Sequence, residues 1–172
     1  MIFVGDYIDR GPAIRETLQI VRGMTDRGNA IALMGNHEYN ALAYHYKVKG
    51  VPLRKHNEKV THQHDATLSQ FADYPEELQM YLNWSYTLPL FFGDKGIRVV
   101  HACWDEDHLQ WLKTNGSITM DEKLFISSHN KKSAEYKVIE ETLKGKEFDI
   151  PERYAWPDKD GHVRNSNRTK GG

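Results

Sequence analysis

The sequence is poor in cysteine, in net charge and in long apolar runs. One cysteine among 172 residues excludes an intramolecular disulfide. A formal net charge of −1 and a sequence pI of about 6.8 argue against broad electrostatic capture of nucleic acid or of an anionic membrane. A cationic-then-apolar leader and an apolar stretch of membrane-spanning length are both absent. These absences favour a soluble, cytoplasmic protein without nucleic-acid or membrane partners.

The length is typical of one domain with a buried core, because chains of 172 residues remove most of the surface that their unfolded form exposes. We therefore expect residues 1–172 to form a single domain. Met1 begins inside an apparent strand, and residues 170–172 stop without a closing element. From this we expect the chain to be part of a longer protein. No pattern in the sequence indicates an oligomeric state.

Polar side chains follow three apolar segments at the points where strands are predicted to end. Residues 5–11, GDYIDRG, come directly after the first segment, residues 35–38, GNHE, after the second, and His101 after the third. In open α/β sheets, side chains beyond the carboxyl ends of the strands point at one another across short loops. Asp, Asn and His gathered at such an edge indicate a metal site.

A βαβ unit is predicted around the first two motifs. Ile14, Leu18 and Val21 form one apolar stripe of a helix that ends near Asp26, and a strand at 30–34 follows it. Parallel pairing of the two strands would place the first motif beside the second. Further helices are predicted at 40–46, 65–72, 75–84, 107–114 and 133–144, and a hairpin of strands at 88–92 and 97–100.

Residues 47–64 are polar, basic and without periodicity, which predicts a mobile excursion that could act as a lid. His62 and His64 lie in it, and we interpret this pair as part of a solvated loop rather than as metal ligands. Cys103 stands two residues after His101. We interpret it as a small buried hydrophobic residue, because no thiolate-stabilising group is identifiable for it.

The two motifs, in this order and joined by one βαβ unit, resemble those of the calcineurin-like metallophosphoesterases, a family that includes the Ser/Thr protein phosphatases. The residues of the two motifs are most similar to those of the bacterial diadenosine-tetraphosphatase-like branch. The resemblance covers residue 1 to about residue 103. It implies an α/β fold, a β-sandwich flanked by helices (αββα), and metal-dependent hydrolysis of phosphate esters or anhydrides by metal-activated water.

The resemblance also implies a centre of two divalent metal ions. Asp6 would bridge the two ions, and Asn36 and His101 would bind the second one. Oxygen and imidazole ligands without a thiolate favour Mn²⁺, Fe or Zn²⁺, of which we expect Mn²⁺.

Three further residues take catalytic or binding roles by the same resemblance. His37, oriented by Asp9, would protonate the leaving oxygen, and the planar guanidinium of Arg10 would bind two phosphoryl oxygens. Taken alone, the Asp-x-x-Asp-Arg-Gly segment could instead be a salt-bridged helix entry. Its combination with Gly-Asn-His-Glu favours the functional interpretation. Glu38 is expected to bind backbone groups rather than metal.

The sequence departs from the family pattern in two places. The family opens with a strand that ends in Gly-Asp-x-His-Gly, which is absent here, so we expect a missing first strand and a first metal with Asp6 as its assigned ligand. The family also uses later histidines, often in a Gly-His context, as metal ligands. The candidates here are His129 and Gly161-His162, and neither matches that pattern.

Three functions stay open at this point. The first is hydrolysis of dinucleoside polyphosphates, similar to that of bis(5'-nucleosyl)-tetraphosphatases. The second is a serine/threonine phosphoprotein phosphatase. The third comes from another class of protein, a non-catalytic remnant that keeps the phosphoesterase scaffold as a binding module.

Overall fold

A computed structural model describes residues 1–115, 118–149, 151, 156–157, 163–164 and 166–168. Within these residues the chain forms seven helices and five two-stranded sheets. The helices are α1 (Ile14–Asp26), α2 (Asn36–His45), α3 (Glu58–Gln70), α4 (Pro75–Ser85), α5 (Glu106–Thr114), α6 (Glu122–Ser127) and α7 (Ala134–Lys144). The strands are β1 (Ile2–Phe3), β2 (Ile31–Ala32), β3 (Lys47–Val48), β4 (Val51–Pro52), β5 (Phe91–Asp94), β6 (Ile97–Val100), β7 (Glu147–Asp149), β8 (Trp156–Pro157), β9 (Val163–Arg164) and β10 (Ser166–Arg168).

The predicted βαβ unit is present at the start of the chain. Strands β1 and β2 pair in parallel, with Phe3 opposite Ala32. Helix α1 connects them, and its stripe of Ile14, Leu18 and Val21 is buried as the spacing predicts. The carboxyl ends of the two strands therefore lie side by side, and the loops that carry both motifs begin at the same edge.

The predicted hairpin, β5–β6, forms the second sheet that matters for function. Phe91 lies opposite Val100, and the turn residues Lys95 and Gly96 both have positive φ, 47° and 84°, which matches the twist of a two-residue hairpin loop. The backbone N–H of Met34, just after β2, donates a hydrogen bond of 2.9 Å to the carbonyl of Pro89. This bond joins the end of the first sheet to the start of the second.

The described strands do not build larger sheets. Pairs β3–β4, β7–β10 and β8–β9 are antiparallel and separate from the two sheets above. The architecture is thus a mixed fold of helices and strands, while the sandwich layering is not confirmed and stays a prediction.

Helix α3 corrects the interpretation of residues 47–64. The helix begins at Glu58, and the side chain of Asn57 caps it by accepting a hydrogen bond of 2.9 Å from the N–H of Val60. The predicted mobile excursion is therefore wrong for its second half. Its first half contains the short pair β3–β4.

Helix α2 begins at Asn36 rather than at residue 40, so the second motif opens a helix directly. The short helix α6 is also additional to the prediction, and the side chain of Asp121 caps it by accepting from the N–H of Leu124 at 2.7 Å.

One hydrophobic core lies between the helices and the two sheets. Burial of a large aliphatic side chain contributes roughly 1.5–3 kcal/mol, so this core is the main source of stability. Cys103 is buried, as expected. Among the described residues, none of the helices has the length and apolar character that crossing a membrane requires. Fully buried side chains include Ile14, Leu18, Leu33, Met34, Leu42, Phe71, Leu90, Leu109, Leu112, Phe125 and Ile139.

Candidate active site

The loop after β1 has an unusual backbone that the buried side chain of Glu38 holds in place. Asp6 and Asp9 have φ of 60° and 69°, in the left-handed region that residues with a Cβ rarely adopt. Glu38 accepts hydrogen bonds from the N–H of Asp6 at 2.9 Å and of Tyr7 at 2.7 Å. It also accepts from the N–H of Gly35 at 3.0 Å. Burial raises the pKa of Glu38 to about 7, against the effect of these three donors. The prediction that Glu38 binds backbone groups is confirmed.

The two motifs approach each other at two glycines. A Cβ on Gly5 would lie 2.5 Å from the Cα of Gly35, and a Cβ on Gly35 would lie 2.5 Å from the N of Asp6. Any larger residue at either position would push the loops apart. The glycine that opens each motif therefore permits the contact between the loops, which brings Asp6 beside residues 36 and 37.

The structure brings together the three residues predicted to bind metal. The ring of His101 lies with Nδ1 2.5 Å from the carbonyl oxygen of Val4, to which Nδ1–H donates. A neutral His101 with this tautomer has a bare Nε2. That atom lies 3.1 Å from Oδ1 of Asn36 and 3.5 Å from Oδ1 of Asp6.

This donor set fits a divalent cation. A carboxylate oxygen, an amide oxygen and an imidazole nitrogen converge, and all three atoms offer an electron pair. A cation satisfies such a cluster, and O and N donors suit Mn²⁺, Fe or Zn²⁺. Within the part of the chain that the structure describes, no group of three or more His, Cys, Asp and Glu residues is arranged to hold a metal. The candidate set has two such residues and depends on the amide of Asn36 for the third donor.

Beside this set, His37 and Asp9 form a close pair. Nδ1 of His37 lies 2.8 Å from Oδ2 of Asp9. Nε2, the other ring nitrogen, lies 3.9 Å from Oδ2 of Asp6 and so is on the side of the candidate metal site. Burial alone would lower the pKa of His37, but the bond to Asp9 and the charges of Asp6 and Asp9 raise it above its ordinary value. The imidazole is thus set to hold a proton.

The carboxylate of Asp9 is held in its ionised form. Burial alone would raise its pKa, but hydrogen bonds from His37, His64 and Thr67 outweigh burial and lower the pKa to about 2. The carboxyl side chain is 3% exposed. A buried charge that accepts three donors keeps a fixed orientation.

Arg10 lies at the exposed rim of the site. Among the described residues, none forms an ion pair or a hydrogen bond with its guanidinium, and its charge opposes part of the rise in the pKa of His37. The charge therefore acts on the dyad while the side chain stays open to solvent.

Comparison with known proteins identifies the family. A model of the calcineurin-like phosphoesterases matches residues 1–158. The chain belongs to the calcineurin-like phosphoesterase family. Membership in this family implies divalent metal ions, in agreement with the donor set that Asp6, Asn36 and His101 form.

Curated bacterial relatives of this phosphoesterase carry one name, symmetrical bis(5'-nucleosyl)-tetraphosphatase. The protein of Aromatoleum aromaticum is 37% identical over 99 residues, which are 58% of this chain and 32% of the relative. Those of Thioalkalivibrio sulfidiphilus and Burkholderia thailandensis are 31% and 29% identical, over 58% of this chain and 32% and 30% of the relatives. The match thus spans about a third of the length of these relatives. No solved structure matches the chain.

Three residues of the phosphoesterase site were missed by sequence reasoning. His64 and Thr67 of α3 both bond Oδ1 of Asp9, at 2.5 Å and 2.9 Å, and His45 bonds His64 at 3.1 Å. The interpretation of His64 as part of a solvated loop is wrong, since the residue is 1% exposed. A signal was present in the spacing, because Val60, His64 and Thr67 recur at helical intervals.

The remaining candidates lie apart from this site. Nδ1 of His129 donates to the carbonyl of Phe125 at 2.7 Å, and the ring stacks on Tyr39 with centroids 4.9 Å apart. His62 is exposed. Gly161 and His162 lie outside the described residues. His45 also lines a cavity of about 470 Å³, and none of the six predicted site residues lines it.

Proposed function

We propose that this single-domain chain is a catalytic segment of a metal-dependent phosphoesterase that hydrolyses phosphate anhydrides or esters. The observation that carries the proposal is the convergence of Asp6, Asn36 and His101 beside the His37–Asp9 pair. A metal-ligand set and an oriented imidazole, side by side, are the two parts that phosphoester hydrolysis requires.

Asp6 would be shared by two ions, and Asn36 and His101 would hold one of them. Divalent ions bound there would supply an activated water and neutralise charge on the phosphoryl oxygens. Mn²⁺ is the ion we propose, on the basis of the oxygen and imidazole donors.

His37 is proposed as the general acid. Its Nδ1 is engaged by Asp9, so the proton that it can give away is on Nε2, the nitrogen that faces Asp6. As water adds to phosphorus and the bond from phosphorus to the leaving oxygen breaks, this proton passes to the leaving oxygen. Asp9 stabilises the protonated imidazole and keeps its own charge. Arg10, with its open guanidinium at the rim, would bind two phosphoryl oxygens.

A dinucleoside polyphosphate is the proposed substrate. The curated relatives are named for such substrates. The positive charge of two arginines that acts on the dyad also suits a chain of several phosphates. Arg10 acts electrostatically on His37, and the half-buried Arg54 feels the charge of Asp9. A phosphoprotein is the second choice. A cytoplasmic location and a helix-flanked β-sandwich complete the proposal.

The test is Mn²⁺-dependent hydrolysis by the full chain. We expect turnover of diadenosine tetraphosphate, with a higher kcat/KM than on a phosphoserine peptide. On phenyl phosphate, His37→Ala should lower kcat roughly 100- to 10,000-fold, because a poor leaving group needs the acid most. Asp6→Asn should weaken Mn²⁺ binding, whereas the exposed His62→Ala should behave like the parent chain.

Two results would overturn the proposal. A phosphopeptide preferred over diadenosine tetraphosphate would favour the phosphoprotein phosphatase. Binding of Mn²⁺ without turnover of any of these phosphates would favour the binding module.

A further inference from the structure

The carboxylate of Asp9 has more partners than orienting His37 requires. Oδ2 binds Nδ1 of His37 at 2.8 Å. Oδ1 accepts two further hydrogen bonds from α3, one from Nδ1 of His64 at 2.5 Å and one from the hydroxyl of Thr67 at 2.9 Å. The same hydroxyl accepts the backbone N–H of Asp9 at 2.9 Å. Helix α3 therefore forms hydrogen bonds with both the side chain and the backbone of Asp9.

A fourth side chain fixes the ring of His64. Nε2 of His64 lies 3.1 Å from Nε2 of His45, at the end of α2. With the Nδ1 proton directed at Asp9, a neutral His64 accepts at Nε2, and His45 donates. Burial lowers the pKa of His45 to about 4, so this donor is neutral. The resulting chain runs from His45 through His64 and Asp9 to His37.

Burying these polar side chains costs free energy of desolvation, and packing alone does not require them. The side chains of His64 and Asp9 are 2% and 3% exposed, and a leucine at position 64 would fill the space without desolvating a polar ring. The bonds also act on a residue with left-handed backbone, φ 69°, whose carboxylate would otherwise rotate. Such buried polar networks give a side chain one orientation.

We propose that His64 is a positioning residue of the phosphoryl-transfer site: with Thr67 and His45, it locks Oδ1 of Asp9 so that Oδ2 holds His37 with Nε2 directed at the leaving oxygen. The inference rests on the proposed function for its consequence in catalysis. His64 itself transfers no proton. In each turnover the proton goes from Nε2 of His37 to the leaving oxygen, and water restores it. His64, Thr67 and His45 keep their protons throughout.

The kinetic test compares two leaving groups in the full chain with Mn²⁺. His64→Leu removes the bond to Asp9, and His64→Asn keeps a donor, because its amide N–H stands near the position of Nδ1. His108→Leu is the matched control, since His108 is a shielded histidine that faces Asp105 and Glu141 rather than Asp9. The substrates are phenyl phosphate, which needs a general acid, and p-nitrophenyl phosphate, whose leaving group is a much weaker base.

We expect His64→Leu to lower kcat on phenyl phosphate roughly 10- to 100-fold with little change in KM, as is typical when a supporting partner is lost. The rate on p-nitrophenyl phosphate should fall far less, and His64→Asn should restore most of the loss. Equal losses on both substrates, or no loss, would overturn the inference. If His37→Ala shows the leaving-group pattern and His64→Leu does not, the proposed function stands and this inference fails.

A second readout does not depend on activity. In ¹⁵N NMR spectra of the imidazoles in the metal-free chain, Nδ1–H of His37 should give one slowly exchanging, hydrogen-bonded signal. This signal should disappear in His64→Leu and persist in His64→Asn and His108→Leu. Its persistence in His64→Leu would overturn the inference even if the chain hydrolyses none of the phosphates, which is the outcome that would remove the proposed function.

Discussion

The two carboxylates at the centre of the site both belong to residues with strained backbone. Left-handed φ at a residue with a Cβ costs about 1 kcal/mol or more, and Asp6 and Asp9 both carry this cost. In each case a buried side chain from a helix binds the strained residue's own N–H, Glu38 for Asp6 and Thr67 for Asp9. Helices α2 and α3 therefore stabilise the strained backbone, with the carboxylate of Asp9 directed at His37 and that of Asp6 facing His37 and His101.

Gly35→Ala tests how closely the two loops must approach. The backbone of Gly35 is extended and suits alanine, but the added Cβ would lie 2.5 Å from N and 2.6 Å from Oδ1 of Asp6. We expect a loss of about 1–3 kcal/mol in the free energy of unfolding, because the loops must separate. The measurement is urea unfolding followed by circular dichroism.

Gly23→Ala is the control for this substitution. Gly23 lies inside α1, where a Cβ would meet only the end of the Arg27 side chain at 3.4 Å. Alanine there should leave stability unchanged or raise it by about 0.5–1 kcal/mol. A Gly35→Ala variant as stable as the parent chain would show that the contact between the motifs is loose.

At the scale of elements, hydrophobic periodicity predicts α1, whereas the helix predicted at 65–72 covers only the second half of α3. The buried stripe of α1 is made of Ile14, Leu18 and Val21, which any apolar pattern detects. The buried face of α3 includes His64 and Thr67, which become internal only because they bind Asp9, 55 positions earlier for His64. The spacing of Val60, His64 and Thr67 fits one helix face but contains no information about such a partner, so the sequence alone favours a loop for the first half of α3.

The motif residues were easier to predict for the opposite reason. Asp6, Asn36 and His101 lie within four residues of the end of a short strand, so their relative positions depend on strand pairing, which the sequence does indicate. Arg10 shows the limit of that approach, since the guanidinium of an exposed side chain is not fixed by the strand before it. Strand ends thus predict where a residue lies better than what its side chain contacts.

Gln70→Ala tests how α3 fixes the start of α1. Ala13, at the N-cap of α1, offers no side-chain acceptor, and the N–H of Ile14 instead donates to Oε1 of Gln70 at 2.7 Å. Nε2 of Gln70 donates in turn to the carbonyl of Gly11 at 3.1 Å. Losing this external cap should cost about 1–2 kcal/mol in urea unfolding.

The comparison for this prediction is Gln79→Ala. The side chain of Gln79 donates to Asn83 within α4, on an exposed face. Its removal should change stability by about 0.5 kcal/mol or less. If the two variants were equally stable, α1 would not depend on α3 for its cap.

At the scale of the whole molecule, the site joins two sheets that do not share a strand. Asp6 and Asn36 follow the parallel pair β1–β2, and His101 follows β6, 65 positions beyond Asn36. The bond from His101 to the carbonyl of Val4 and the bond from Met34 to Pro89 tie the two sheets together at this point. The candidate site therefore depends on the assembly of the whole core, and its histidines couple folding to pH.

His45 gives the clearest case of this coupling. Its pKa is lowered from 6.5 to about 4, first by burial and then by His64 and His56, so the folded chain binds this proton less readily than the unfolded chain. Between these two values the unfolded state binds more protons, and stability rises with pH. The contribution of His45 to stability is therefore fully present above about pH 6.5 and is lost as the pH falls toward 4.

Urea midpoints measured from pH 4 to pH 8 should show this loss of stability at low pH. His45→Gln should flatten the pH dependence, whereas His62→Gln, an exposed change on α3, should keep the slope of the parent chain. An unchanged slope in His45→Gln would mean that His45 takes up a proton as readily in the folded chain as in the unfolded chain, and the donor that this structure assigns to His64 would then carry a charge below about pH 6.5.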